Sequence, residues 1–146
     1  MKTITNVYVA AVLALTLSCE GTKKTVEKSS DKTDKVMVLE GDFVIENLGD
    51  RNKNAFEQPL SLRFDKEAGY VNGTTECNGI GGQYTINGNT ISFGDIFATK
   101  MYCEGKMDAE RMMGEALKNT VTFSQKNNVL TFYDKQGNVL LSANKE

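Results

Sequence analysis

From Gly41 onward the apolar residues recur with a period of two, and that period changes only once. A period of two marks a strand with one buried face, and a period of 3.6 marks a helix. In "PLSLRF", Leu60, Leu62 and Phe64 share one face while Ser61 and Arg63 take the other. Pro59 opens that segment, where a missing N–H is tolerated. "GDFVIENL" puts Phe43 and Ile45 on one face, and "GYVNGTT" reads as a shorter strand. In "QYTINGNTISF", Tyr84 and Ile86 lead into Asn87-Gly88, and Ile91 and Phe93 lead out. Asn-Gly accepts φ > 0 at both central positions of a type I′ turn, so the segment predicts a hairpin. "TVTFSQ", "VLTFYD" and "NVLLSA" predict a closing meander, with turns at Asn127-Asn128 and at Asp134–Gly137.

The single interruption lies near residue 108. Ala109, Met112, Met113, Ala116 and Leu117 follow i, i+3, i+4, i+7, i+8, one face of an amphipathic helix. Asp108 suits its N-cap or its first turn, where the helix dipole favours an acid. The Met pair reads as core filler. Strands, one helix, then strands predict an α+β domain: mainly antiparallel, strongly curved β-sheet of about eight short strands, a partial barrel with the helix over one opening. No strand–helix alternation is present, so no parallel nucleotide-binding sheet is expected.

Ahead of this region the composition changes. "MKTITNVYVAAVLALTLSC" carries Lys2, then an apolar run from Val7 to Leu17 in which only Thr16 is polar. The run falls short of the roughly 20 residues that span a bilayer as a helix, and it fits the core of a secretory signal peptide. It ends at Leu15-Thr16-Leu17-Ser18-Cys19, which resembles a bacterial lipobox; the usual leucine three places before the cysteine is Thr16 here. The expectation is a signal peptide at 1–18, a lipidated Cys19, and a tether over 19–37. Glu20 to Val36 holds five lysines and four acids, with only Val26 and Val36 as large apolar residues. Such a segment buries too little apolar surface to order itself. As a coil it reaches roughly 20–25 Å. The expected location is the cell envelope, anchored by lipid to the outer membrane and facing the periplasm or the surface.

Three cysteines are an odd number. Acylation of Cys19 leaves Cys77 and Cys103, which an oxidising compartment would join as a disulfide; two buried free thiols are the alternative. The chain has no histidine, which removes a Ser-His-Asp triad, a Cys-His pair and a His-ligated zinc. Carboxylates are scattered without metal-site spacing. Gly79-Ile80-Gly81-Gly82 lacks the Lys-Ser/Thr and the helix that follow in a phosphate loop, so a tight strand crossover explains it better. A net charge of −2 argues against nucleic acid. No catalytic residue, cofactor or metal is expected.

One ordered set of motifs carries a resemblance. "CNGIGGQY" (Cys77 to Tyr84), "NGNTISFG" and "TKMYC" (Thr99 to Cys103) run in that order, followed by the helix and closing strands. Over residues 39 to 143 the chain resembles the META/HslJ domain family, so that 38–146 is read as one such domain. The residues that match are Asn78, Gly79, Gly82, Tyr84, Thr99 and Met101. Phe43 stands where the family usually has tryptophan, and Glu76 where glycine is common. The resemblance implies a small non-enzymatic envelope domain, often a lipoprotein, with members linked to stress or drug tolerance. Two roles follow as expectations: contact with an envelope protein partner, or binding of a small apolar ligand or lipid. For the second, Phe43, Phe64, Tyr84, Phe93, Phe97, Phe123 and Phe132 would line a pocket, but a domain of this size needs such aromatics as packed core.

Overall fold

The computed structural model describes residues 37–146; the expected leader, Cys19 and the tether before Met37 lie outside them. The strands are β1 (Gly41–Leu48), β2 (Arg51–Asn52), β3 (Ser61–Asp65), β4 (Tyr70–Thr74), β5 (Gly79–Asn87), β6 (Thr90–Phe93), β7 (Phe97–Ala98), β8 (Thr122–Lys126), β9 (Val129–Tyr133) and β10 (Val139–Lys145). The helix α1 spans Met107–Asn119, and a 3-10 turn covers Lys53–Ala55.

Every pairing is antiparallel. The sheet runs β10-β9-β8-β6-β5-β4-β3-β1, and β1 also pairs with β10. The expected partial barrel is therefore a closed one of eight strands, because β1 is long enough to pair along both edges. One edge of β1 meets β10 from Phe43 to Leu48; the other meets β3 at Gly41–Val44 and β2 at Asn47–Leu48. Closure removes most of the unpaired edge that an open sheet would expose. The two-residue strands β2 and β7 lie outside the closed path and have no counterpart in the sequence pattern.

The register explains which residues face inward. Leu60, Leu62, Phe64 and Val71 are buried, as alternation requires. In β1 the pairing shifts between Ile45 and Asn47, a bulge that moves the inward phase by one. Phe43, Ile45 and Leu48 consequently point into the core, while Asn47 faces out and bonds Ser142 at 2.8 Å. The β5–β6 hairpin pairs Asn87 with Thr90, so its two-residue turn is Gly88-Asn89, one place later than expected. Only Gly88 takes positive φ there, at 61°. That is the habit of a type II′ turn, with glycine first, rather than type I′.

Phe43, Phe64, Phe123 and Phe132 are fully buried. Edge-to-face pairs at 5.8 Å (Phe43–Phe64), 5.3 Å (Phe64–Tyr84), 6.2 Å (Phe64–Phe132) and 5.6 Å (Phe93–Phe132) fill the interior. Helix α1 adds Ala109, Met113, Ala116 and Leu117 to the same core, and Met112 packs against its margin. Its N-cap is Lys106, without a side-chain cap bond; Asp108 lies in the first turn. Phe97 departs from the other aromatics: it stands on the outside, 58% exposed.

Candidate functional site

The motif residues converge on one turn. Asn78, between β4 and β5, is 2% exposed and uses all four of its side-chain hydrogen bonds. Its Oδ1 accepts from the Thr99 hydroxyl at 2.7 Å and from the Met101 N–H at 2.9 Å. Its Nδ2 donates to the Met101 carbonyl at 3.0 Å and to Glu110 Oε2 at 2.6 Å. One amide thus ties the β4–β5 turn, the Thr99–Met101 strap and the first turn of α1. Asparagine suits this place because it offers two donors and two acceptors on a short arm.

The turn itself is held by Thr75. Its Oγ1 accepts from the Asn78 N–H at 3.0 Å and donates to the Asn78 carbonyl at 2.8 Å. Next to it, Cys77 and Cys103 face each other across the same gap, their sulfurs 1.97 Å apart and their Cα atoms 5.9 Å apart. That Cα separation is the ordinary one for a disulfide. Thr99 closes a second link: its Oγ1 accepts from the Gly79 N–H at 3.2 Å, and its own N–H reaches the Gly79 carbonyl at 3.0 Å.

Gly82 lies against the turn that precedes the strap, where a Cβ would meet the Asp95 carbonyl and the Ile96 side chain at 2.7 Å. Gly81 is closed in by Tyr70 Oη at 2.8 Å. These glycines admit close approach of the chain at Asp95–Phe97, and no phosphate loop is built from them. Tyr84 does not join the cluster. Its ring sits in the barrel, with its hydroxyl directed at the carbonyls of Leu39 (3.2 Å) and Asp65 (3.3 Å). Burial, and then the charges of Asp65 and Glu40, push its phenol above the usual tyrosine range.

The strap presents apolar side chains to solvent. Met101 is 57% exposed and Tyr102 82% exposed, although the Met101 backbone is pinned by Asn78. Beside it runs a groove of about 720 Å³ between the Phe93–Ala98 segment and α1. Ile80, Phe93, Ile96 and Phe97 form its apolar side; Glu110, Arg111, Glu115 and Lys118 line its charged side, with Gly114 between them. The groove lies outside the barrel, whose interior, weighed as an alternative site for an apolar ligand, is filled by packed aromatics. Sequence reasoning missed Thr75 and Glu110. The Thr75–Asn78 spacing is a local signal that could have exposed the turn. Nothing in the sequence points to Glu110, which reads as an ordinary first-turn acid 32 positions from Asn78.

Among the described residues no group of three His, Cys, Asp or Glu is placed to hold a metal ion. Nor does the cluster offer a nucleophile beside a base. Thr75, Asn78 and Thr99 spend their polar atoms on each other and on the backbone.

Comparison with known proteins supports the fold. A protein known by its NMR structure matches with a TM-score of 0.59 and 19% identity, over 75% of this chain and 96% of its own. A Burkholderia xenovorans protein, also solved by NMR, matches at 0.57 and 19% identity, over 73% of this chain and 82% of its own. The crystal structure of a DUF4847 family protein from Bacteroides vulgatus matches at 0.54 and 16% identity, over 73% of this chain and 92% of its own. At these identities the likeness is one of fold. No curated protein matches. The META domain matches residues 36–146, which includes the Asn78 clasp, the barrel and α1, and the chain belongs to the META domain family.

Proposed function

We propose that this chain is an exported, lipid-anchored envelope protein whose META domain acts by binding a protein partner, in support of envelope stress tolerance. The observation that carries the reading is the use made of the motif residues. Asn78, Thr99 and Gly79 hold a strap in place, and beside the pinned Met101 backbone the side chains of Met101 and Tyr102 are exposed. Large apolar side chains held fixed at a surface fit recognition better than catalysis. The apolar h-region before Cys19 supports export and acylation. An anchor of two fatty chains would then hold the domain at the membrane, on a tether that gives it local reach.

The test is intact mass of the mature protein extracted from bacterial membranes. A mass matching cleavage before Cys19 with acyl addition, and two hydrogens fewer than the dithiol, supports the reading. An unacylated species still carrying residues 1–18 would overturn the anchoring. Crosslinked pull-down through the intact domain then asks for a stoichiometric partner. Repeated recovery of none under conditions of envelope stress would count against the binding role.

A further inference from the structure

We propose that the groove between β7 and α1 receives an extended basic peptide segment. The segment would add a strand to the free edge of β7 and lay a lysine or arginine on the Glu110 carboxylate. This deepens the partner-binding reading above and rests on it.

Three observations meet in the groove. First, barrel closure leaves few unpaired edges, and β7 is one of them: it pairs with β5 and with no other strand. Natural edge strands are commonly blunted by charge, proline or a covering element. β7 is short, at two residues, but Phe97 and Ala98 bring neither charge nor proline, and the space alongside them is open. An extended peptide that pairs with such an edge gains main-chain hydrogen bonds and sets alternate side chains in the flanking groove.

Second, the helix wall is cut back opposite that edge. A Cβ built on Gly114 meets nothing within 4 Å, so packing does not demand glycine there. Glycine inside a helix costs stability relative to alanine. Its effect here is to keep the groove open in mid-helix.

Third, the charges are unbalanced. Arg111 is taken by Asp108 and Glu115. Among the described residues, Lys118, in the last turn of α1, has no carboxylate partner, and neither Glu110 nor Asp95 has a cation. Two carboxylates against one lysine favour a cationic guest. Glu110 is also oriented in advance, because the buried Asn78 amide holds one of its oxygens at 2.6 Å. A carboxylate fixed in this way loses little freedom when it takes a cation. An acidic segment would instead meet Glu110 and Asp95.

The experiment titrates the purified full chain with capped heptapeptides, read by calorimetry. The probes are an alternating valine–lysine peptide, its valine–glutamate counterpart, and the lysine peptide N-methylated on alternate amides. The lysine peptide is expected to bind saturably at one per chain. The glutamate peptide and the N-methylated peptide are expected to bind about tenfold more weakly or worse, the size of one lost charge-assisted hydrogen bond. Glu110→Gln should weaken the lysine peptide by a similar factor. It keeps an oxygen for Asn78, so the clasp stays intact. Gly114→Leu, facing open space, should block binding without unfolding the domain; unchanged thermal midpoints check both variants. Absence of saturable binding, equal binding of the glutamate peptide, or indifference to Glu110→Gln overturns the proposal. Undiminished binding of the N-methylated peptide overturns strand addition. A partner recovered from membranes that still binds Gly114→Leu would leave the partner-binding role standing and remove the groove from it.

Discussion

Along β1 and β10 the barrel is joined by five paired residues, from Phe43↔Lys145 to Leu48↔Leu141. Between β6 and β8 the paired residues are Thr90↔Thr122, with backbone bonds from the Ile91 N–H to the Val121 carbonyl at 3.0 Å and from the Phe123 N–H to the Asn89 carbonyl at 2.9 Å. The two seams close the same sheet by different means. At the first, a long ladder, interrupted by one bulge, carries the closure. At the second, the chain leaves β6 at Phe93, turns through Gly94–Ile96 and pairs with β5 again as β7. Helix α1 then stands where more strand would have been. Beyond that short ladder, side-chain chemistry fastens this side: the Asn78 amide and the Cys77–Cys103 pair tie the β4–β5 turn to the strap and to α1, whose buried face joins the core. Backbone ladders leave little for a partner to read. A seam propped by side chains leaves a groove, an unpaired edge and exposed apolar residues, and it is there that recognition is proposed.

The difference can be broken from either side. Phe64→Ala removes the ring that touches Phe43, Tyr84 and Phe132, and is expected to cost about 3–5 kcal/mol in urea unfolding. Both seams share that core, so the loss should be global; a cost below about 1 kcal/mol would mean that the interior is loosely packed. Replacing Cys77 and Cys103 together by serine frees a closure of 26 positions and should cost about 3–4 kcal/mol. Here hydrogen exchange is the sharper reading. Protection should fall over Thr75–Gly105 first and hold along β1–β10, and uniform loss would erase the distinction between the seams.

Asn78→Ala leaves the Met101 amide groups and the Thr99 hydroxyl without their partner, for about 1–3 kcal/mol. Because Asn78 and the cysteine pair fasten the same strap, the combined variant should depart from additivity by at least about 0.5 kcal/mol. Strict additivity would separate the two clamps. Gly114→Ala goes the other way, with a gain of about 1 kcal/mol, since the site has open space and helical backbone. A destabilised Gly114→Ala would show that the groove wall is tighter than the geometry says.

The smallest effect is one of pH. Tyr84 holds its proton above the usual range of about 10. With the folded-state value above the unfolded one, its contribution is whole below about pH 10 and is lost as pH rises through the folded value. Ultraviolet titration should find one tyrosine ionising late in the native protein, and Tyr84→Phe should remove it.

Much of the barrel was legible because burial on one face imposes alternation. Leu60, Leu62 and Phe64 announce β3 with no knowledge of their neighbours, and Ala109 to Leu117 announce α1. The turn between β5 and β6 was placed one residue early, because Asn87 and Asn89 flank Gly88 symmetrically in sequence. Only the Ile86↔Ile91 register shows which asparagine pairs within the ladder. Phe97 could not be told from the core aromatics. It sits in an apolar run, Ile96-Phe97-Ala98, that reads as core, and what sets it apart is the turn at Gly94–Ile96 that carries it outside. The clasp was half visible: Asn78, Thr99 and Met101 stand out as motif residues, while the carboxylate that completes the amide's bonding, Glu110, does not.

Local periodicity, turn residues and the absence of histidine were enough to determine an antiparallel α+β domain without a histidine-based site. These are properties of neighbours along the chain, and short-range sterics and burial enforce them. Tertiary structure alone decided that the barrel closes through β1 and β10, that β6 gives way to β7, and that Asn78 reaches Glu110. Each of these depends on which distant segments share a hydrogen-bond edge or a gap of a few ångströms. Such pairings are selected by the packing of the whole core, and no single stretch of the sequence encodes them.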